Sequence, residues 1–179
     1  MSSIIRHWKT EDAPYLAAIA NNPHIRNNLR DGFPYPYTTE DALDFIHSML
    51  TADPGSTFAY AIIVDEKPVG SIGAFRQTNI HSRTAELGYY VAEEYRGRGI
   101  ASAAVKSIVE YVFENTDIVR IFAEPFARNA ASCRVLEKCG FSYEGTMRKN
   151  AFKNGRFEDM RLYAILKTAP HGLATAKIT

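Results

Sequence analysis

The stretch EEYRGRGIAS, residues 93–102, places two glycines and two arginines in four consecutive positions, between an apolar strand-like run and the start of an amphipathic helix. A helix begins with backbone N–H groups that lack partners, and its aligned peptide dipoles add partial positive charge there. Glycine lets such a backbone approach a ligand closely because no Cβ intervenes. Together with Arg96 and Arg98, these features predict an anion site suited to a diphosphate.

The spacing of the glycines separates this stretch from two common diphosphate loops. A Walker loop requires the pattern GxxxxGK[ST], which the sequence does not contain. Gly97, Gly99 and Ser102 form GxGxxS, which lacks the third glycine of a dinucleotide-binding fingerprint, and Asp117 precedes a strand where that fingerprint needs an acidic residue ending one. The residues alone therefore leave two alternatives, a diphosphate site or an exposed turn with solvated arginines.

The surrounding pattern predicts an α/β protein of one domain. The chain has 179 residues, enough to bury a full core. Apolar periodicity and capping residues predict the order β-α-α-β-β-β-α-β-α-β-β, a mixed sheet with helices on both faces. Strands are expected at 4–8, 57–64, 69–75, 84–92, 118–124 and on both sides of the turn KNGR, and helices at 10–22, from 38 or 39 to about 50, 100–115 and 129–140. We expect the domain to span residues 1–168 and residues 169–179 to form a flexible tail.

Composition and charge exclude several classes of function. Lysine and arginine number 21 against 20 acidic residues, which argues against a general nucleic-acid binder. Cys133 and Cys139 fit neither a CxxC pair nor a zinc spacing and are expected to be reduced core thiols. No histidine pair has metal-ligand spacing, and no segment resembles a signal peptide or a membrane span. The sequence thus predicts a cytoplasmic protein with no metal and no membrane partner.

Several motifs, in the right order, resemble one family. YRGRGIA (95–101) resembles the acetyl-CoA pyrophosphate loop of the GNAT superfamily of N-acetyltransferases, whose pattern Arg/Gln-x-x-Gly-x-Gly/Ala is filled by Arg96, Gly99 and Ala101. AELGYYV (85–91) resembles the strand before that loop, and NAASCRVLEKCGF (129–141) resembles the segment after it. Three further stretches resemble the RimJ/RimL-like branch, the ribosomal-protein N-terminal acetyltransferases: LRDGFPYPYTTEDA (29–42), FSYEGTMRKNAFKNG (141–155) and MRLYAILK (160–167).

The resemblance implies a fold, an activity and a set of cofactor residues. The fold would be of the GNAT type, with a mostly antiparallel sheet of about seven strands and about four helices. The activity would be direct transfer of an acetyl group from acetyl-CoA to a primary amine, without a covalent enzyme intermediate and without a metal. By this resemblance the cosubstrate is held by Tyr90, Val91, Ala92, Arg96, Gly97, Arg98, Gly99, Ile100, Ala101, Ser102 and Asn129.

The catalytic residues implied are Glu86 and Ser132. Glu86 stands where many family members keep a general base, although an anchor for the substrate amine or a structural ion pair are equally open alternatives. Ser132 would hydrogen-bond the departing thiolate or relay a proton to it, the alternative being a helix-face serine with no such role. Many members carry a tyrosine acid at the position of Leu136, so a dedicated acid is in doubt here.

The acceptor is the least determined part of the sequence. Phe33, Tyr35 and Tyr37 in an aromatic loop, and Arg148 and Asn150 near the last hairpin, are expected to contact it, the alternative being that they fix the loop to the core. The branch implies a protein or peptide N-terminal amine, such as that of a ribosomal protein. Two other functions are open. One is acetylation of a small amine (polyamine, amino acid or antibiotic), with a polyamine site drawn from Glu40, Asp41, Asp44, Glu86 and Glu158. The other is a non-catalytic acyl-CoA sensor. Monomer and homodimer both fit.

Overall fold

Seven strands of the computed structural model, which describes residues 4–168, form one sheet in the order β1-β2-β3-β4-β5-β7-β6. The predicted tail at residues 169–179 lies outside the described residues. Within them β4 and β5 pair in parallel, and every other neighbouring pair is antiparallel. The strands are β1 (Ile4–Arg6), β2 (Thr57–Val64), β3 (Lys67–Arg76), β4 (Thr84–Val91), β5 (Arg120–Ala123), β6 (Ser142–Lys153) and β7 (Arg156–Leu166).

Helices cover both faces of this sheet. They are α1 (Ala13–Ala20), α2 (Pro23–Arg26), α3 (Thr39–Thr51), α4 (Ile100–Asn115) and α5 (Ala130–Lys138). On one face α4 and α5 pack on a core that includes Ile62, Leu87 and Ile121. On the other, α1 and α3 pack around Ala61 and Ile63. Alternate residues of one strand thus serve opposite cores, and the fold class expected from the sequence is confirmed.

The N-terminal helix is the element that differs most from the sequence-based expectation. One helix from Thr10 to Asn22 was predicted, but residues Thr10–Asp12 form a single 3₁₀ turn and α1 begins at Ala13, with a proline at its start. Pro23 follows α1 and is also the first residue of the next helix. The Asn22 side chain accepts a hydrogen bond from His24 N at 2.8 Å, so α2 begins at Pro23.

Two predicted caps are present as expected. Thr38 Oγ1 accepts a bond from Asp41 N at 3.1 Å, and the Asp41 carboxylate accepts one from Thr38 N at 2.7 Å, which fixes the start of α3. Asn129 Oδ1 accepts a bond from Ser132 N at 3.2 Å at the start of α5. After α5, Gly140 has a φ of 87°, the left-handed conformation common just after a helix.

The feature of the sheet that creates a site is a gap between β4 and β5. β3 pairs with β4 along its length, from Arg76↔Ala85 to Gly70↔Val91. β4 and β5 pair only from Thr84↔Arg120 to Glu86↔Phe122, and β5 ends at Ala123. The second half of β4 therefore has one backbone edge without a strand partner among the described residues.

Candidate active site

A cavity of about 1380 Å³ opens at this gap. Its walls are β4, the end of β5, the N-termini of α4 and α5, the 27–38 loop and the hairpin of β6 and β7. Pockets for one small ligand usually measure about 300–1,000 Å³. The volume found here suits two substrates held together.

The glycine turn at the start of α4 has the features of a phosphate site. Gly97 and Gly99 have φ values of 75° and 78°, which favour glycine, and a Cβ on either would meet no protein atom within 4 Å. From Gly97 to Ser102, no backbone N–H donates a hydrogen bond to any of residues 4–168, and the first helical bond is Ala103 N to Gly99 O at 3.0 Å. All of these residues except Arg98 line the cavity, where an anion would satisfy their N–H groups.

The two arginines of the turn have different surroundings. Arg96 lines the cavity, and its Nε donates to Val91 O at 3.4 Å. Arg98 does not line it, because its guanidinium lies over the Tyr95 ring, 5.3 Å from the centroid. Two cations that sequence reasoning missed, Arg134 and Lys138, project from the exposed face of α5 and line the cavity. Their spacing of four residues on a predicted helix was the available signal.

The open edge of β4 determines which backbone groups a ligand can reach. Ala92 N already donates to Val69 O on β3, at 2.8 Å, and Ala92 does not line the cavity. Because backbone groups alternate in direction along an antiparallel pair, those of Tyr89 and Val91 face the gap. Of the predicted residues Tyr90, Val91 and Ala92, Val91 therefore turns its backbone groups to the gap, and Tyr90 reaches the cavity with its side chain.

Ser132 and Tyr89 form a hydroxyl pair at the start of α5. Tyr89 Oη lies 2.9 Å from Ser132 Oγ and also donates to Ser132 O at 3.2 Å, and both residues line the cavity. Burial raises the pKa of the Tyr89 phenol, although its bond to Ser132 opposes the rise, so the phenol is neutral at neutral pH. Strand alternation puts Tyr89 on the same face of β4 as the buried Leu87. A buried tyrosine hydroxyl needs a partner, and that was the signal for this pair.

Two carboxylates stand on opposite sides of the gap. Glu86 of β4 is ion-paired with Arg30 of the 27–38 loop. Glu124, directly after β5, lines the same cavity and was not among the predicted site residues. Burial and the charge of Glu86 raise the pKa of Glu124, and Arg30 opposes that rise.

The aromatic loop contributes some of its predicted residues. Phe33 and Tyr37 line the cavity and stack on each other with centroids 4.7 Å apart. Tyr35 does not, because its ring lies under the Arg26 guanidinium at 4.6 Å and is turned outward.

The last hairpin likewise contributes one of its two predicted residues. Asn150 lines the cavity, but Arg148 is exposed outside it. The pairing with β7 shifts register between Met147 and Ala151, and Lys149 has a φ of 52°. This irregularity separates the directions of the two side chains.

Polar contacts hold the 27–38 loop over the cavity. Arg128 donates to Asn27 O at 2.6 Å and to Asn28 Oδ1 at 2.7 Å. Lys153 of the hairpin, whose side chain is 6% exposed, donates to Asp31 Oδ1 at 2.6 Å. The loop is thus joined both to the segment before α5 and to the β6–β7 hairpin.

Residues 4–168 contain neither a metal-site cluster nor a membrane-spanning helix. No group of three or more His, Cys, Asp or Glu side chains there has the arrangement of a metal site. None of the helices in that range has the length and apolar character needed to traverse a bilayer.

The glycine turn, the gap and the hydroxyl pair all fall in a segment with a family match. Residues 3–142 match the model of the acetyltransferase (GNAT) domain. The chain belongs to the GNAT family. The family and the RimJ/RimL-like likeness expected from the sequence are confirmed, and so, at the level of the family, is the expected class of acyltransferase.

Three known proteins illustrate the range of this GNAT chain's relatives. It is 39% identical over 102 residues to the probable N-acetyltransferase YjcK of Bacillus subtilis, a match spanning 57% of this chain and 56% of YjcK. It is 24% identical to the spermidine N(1)-acetyltransferase of Vibrio cholerae, over 92% of each chain. The structure of Mycobacterium smegmatis RimJ in complex with CoA-disulfide superposes with a TM-score of 0.82 and 25% identity, covering 92% of this chain and 81% of RimJ.

Proposed function

We propose that this protein transfers an acetyl group from acetyl-CoA directly to a primary amine. The observation that carries the proposal is the run of N–H groups from Gly97 to Ser102, without partners in residues 4–168, at one end of a cavity whose other end holds Glu86 and Glu124. One end suits a diphosphate and the other a cationic amine. The gap between β4 and β5 joins them.

The cosubstrate would follow the open edge of β4. Its pyrophosphate would accept bonds from the glycine turn, and Arg96, Arg134 and Lys138 supply positive charge for its phosphates. Its pantetheine amides would bond the backbone groups of Tyr89 and Val91 as an added strand does. The Asn129 side chain stands beside that path.

The chemistry requires a neutral amine, a stabilised oxyanion and a protonated leaving thiolate. The amine nitrogen bonds to the thioester carbon, and the carbon–sulfur bond then breaks. Backbone N–H groups on the open edge of β4 are available to the oxyanion, and the Ser132 hydroxyl, held by Tyr89, is available to the thiolate. Neither Cys133 nor Cys139 lines the cavity, which favours direct transfer over a thioester on the enzyme.

We infer that the amine is a peptide or protein N-terminus. The likeness to RimJ supports this acceptor, and so does the rim of the cavity. Phe152 lines the cavity and pairs with Phe157 at a centroid distance of 5.1 Å, yet the two are 61% and 66% exposed. An exposed aromatic pair beside the opening suits an acceptor chain that extends out of the cavity.

A polyamine is the second candidate acceptor. Asp41, Asp44 and Glu86 line the cavity, whereas the other two expected carboxylates, Glu40 and Glu158, do not. Asp41 is also occupied by the cap of α3, and Glu86 by Arg30. Because a spermidine acetyltransferase is among the relatives, spermidine is included among the acceptors to be tested.

The test is release of free thiol from acetyl-CoA with a panel of amines. The panel contains short peptides with free N-termini, the same peptides with blocked N-termini as controls, spermidine, amino acids and aminoglycosides. Turnover of the free peptides alone is the expected result. If spermidine alone is turned over, the acceptor is a polyamine and not a peptide. If calorimetry shows CoA binding but no amine is turned over, the result favours the acyl-CoA sensor.

A further inference from the structure

The cavity has an open space over the middle of β4. Among the residues of β4, Gly88 alone is exposed, although β3 pairs with this strand along its length. A Cβ on Gly88 would meet no protein atom within 4 Å, and the φ of Gly88 is not in the left-handed range. The backbone conformation therefore does not require a glycine there, and the missing side chain provides space inside the cavity.

The floor of this space is a row of small residues across three strands. Ala59 of β2 pairs with Gly73 of β3, and Gly73 pairs with Gly88 of β4. Residues that pair across strands share one face of the sheet, so none of the three places an atom beyond Cβ on this face. All three line the cavity. The floor thus leaves room for a side chain that belongs to a ligand.

Aromatic rings border the floor in the next row on either side. Phe75 turns its ring over Gly73, because a Cβ on Gly73 would lie 2.7 Å from Cζ of that ring. On the other side, the Tyr90 ring meets the Phe33 ring edge to face, with centroids 6.1 Å apart. Phe75, Tyr90 and Phe33 all line the cavity. The space over Gly88 therefore lies between aromatic walls.

The carboxylates near this space are engaged by other groups or face solvent. Glu86 is ion-paired with Arg30, and Asp41 accepts the cap bond at the start of α3. Asp44 lines the cavity but is exposed. Because the floor carries no polar side chain and its walls are aromatic, the space suits an apolar group.

We propose that the space over Gly88 holds the first side chain of the acceptor peptide and selects an apolar side chain larger than that of alanine. The inference rests on the proposed function and names the class of N-terminus on which it acts. Glu86 and Gly88 are neighbours on one face of β4, about 7 Å apart at the usual rise of a strand. An amine beside Glu86 therefore directs the side chain of its own residue over Gly88.

The size of the space makes Gly88 and Phe75 the residues that determine specificity. A hydrophobic pocket distinguishes side chains that differ by one methylene by about tenfold or more. Leucine and methionine would fill the space over Gly88, whereas glycine, alanine and serine would leave it empty. A side chain added at Gly88 takes the place of the ligand, and removal of the Phe75 ring enlarges the space.

The experiment measures kcat/KM for peptides that differ only in the first residue, which is glycine, alanine, serine, leucine, methionine, phenylalanine or lysine. The enzymes are the parent, Gly88→Ala, Gly88→Val, Phe75→Ala and Gly55→Ala. Gly55 is the matched control, because it lies outside the cavity and a Cβ there would meet its nearest atom, Asp53 Oδ1, at 3.5 Å. Calorimetry with CoA checks the cosubstrate end of the cavity in each variant.

The parent is expected to prefer leucine and methionine peptides over the alanine peptide by about tenfold or more. Gly88→Val should lower this ratio by about tenfold or more, and Gly88→Ala should lower it less. Phe75→Ala should move the preference the other way, towards the phenylalanine peptide, and it tests the same space if Gly88→Val does not fold. Gly55→Ala should keep the parental ratio, and CoA affinity should not change in any variant.

Three results would overturn this inference and leave a peptide acetyltransferase in place. In one, the parent acetylates all the peptides equally well. In another, the Gly88 and Phe75 variants lose the same factor with every peptide, as expected from a purely structural role. In the third, the lysine peptide is preferred, which would assign the space to a cation drawn to Asp44. Turnover of spermidine alone, or of no amine, would instead contradict the proposed function and remove the inference with it.

Discussion

Gly99 in the glycine turn shows how a single residue can determine whether a ligand binds. Gly99 is both the residue before α4 and the one whose missing Cβ leaves the cavity wall open. Its φ of 78° would strain any other residue by about 1–2 kcal/mol. A substitution at a positive-φ glycine outside the cavity causes the same strain. A second glycine of that kind therefore separates the effect of strain from the effect on ligand binding.

Gly155 is that second glycine. It has a φ of 76° in the β6–β7 turn and no protein atom within 4 Å of a Cβ position. Gly99→Ala and Gly155→Ala are expected to lose similar unfolding free energy. Only Gly99→Ala should weaken CoA binding in calorimetry, by about tenfold, the loss of roughly one hydrogen bond to a charged group. Equal CoA affinities would place the pyrophosphate elsewhere.

The Tyr89–Ser132 pair predicts a shared effect on the chemical step. Tyr89→Phe keeps the ring and removes the hydroxyl, so Ser132 loses its partner. We expect kcat to fall about tenfold in Tyr89→Phe and in Ser132→Ala, without a change in the KM of acetyl-CoA. The double variant should lose no more than the larger single loss, because the two hydroxyls act as a unit.

A matched tyrosine controls for stability in that experiment. Tyr163 is buried outside the cavity, and its hydroxyl donates to Glu137 at 2.8 Å. Tyr163→Phe removes one buried hydroxyl bond and should leave kcat at the parental value. Fully additive losses in the double variant of Tyr89 and Ser132 would contradict a joint role.

At the scale of elements, the 27–38 loop depends on contacts with distant parts of the chain. Arg128 reaches two loop residues, Asn27 and Asn28, and also pairs with Glu158 at 3.1 Å. We expect Arg128→Ala to loosen the loop and to raise the KM of the acceptor several-fold, while the KM of acetyl-CoA stays the same. Initial rates with each substrate varied in turn measure both constants.

An arginine outside the cavity serves as the control. Arg83 pairs with Asp117 at 3.3 Å, and neither residue lines the cavity. Arg83→Ala should leave both KM values unchanged. If Arg128→Ala raises the KM of acetyl-CoA as much as the KM of the acceptor, the 27–38 loop does not act specifically on acceptor binding.

The junction between β1 and α1 predicts a dependence of stability on pH. Burial raises the pKa of the Asp12 carboxyl, but the Arg6 guanidinium and the Lys9 N–H outweigh it and hold that pKa below its usual value. A group with a lowered folded-state pKa stabilises the fold above its unfolded pKa of about 3.9, and this stabilisation is lost as the pH falls through the folded-state value.

Asp12→Asn should therefore lower the unfolding free energy by about 2 kcal/mol at neutral pH. The difference from the parent should shrink as the pH falls from about 3.9 towards the lower folded-state pKa, below which Asp12 is protonated in both states. Denaturant titrations at several pH values measure this difference in unfolding free energy. Glu114→Gln, at an exposed glutamate of α4, is the control. A difference that is constant with pH would assign the loss to packing.

The elements with strong local signals could be predicted from the sequence, and those set by tertiary contact could not. The glycine turn, the caps at Thr38 and Asn129 and the stripe of α4 are local patterns, and the structure has them where expected. Whether Arg98 or Arg96 faces the cavity depends on the Tyr95 ring. Glu124 has no sequence motif, because its position follows from where β4 and β5 separate.

At the scale of the whole molecule, the cavity combines parts from distant segments. One end is the glycine turn and α5, and the other is the 27–38 loop with the last hairpin, joined by the gap in the sheet. The volume of about 1380 Å³ and the absence of Cys133 and Cys139 from its wall together predict that both substrates are bound when the acetyl group moves.

The measurement that tests this account most directly is the initial rate of thiol release with acetyl-CoA and the acceptor peptide both varied. Direct transfer within a ternary complex predicts double-reciprocal lines that intersect. Parallel lines would contradict it, because they indicate an acetylated enzyme formed before the amine binds.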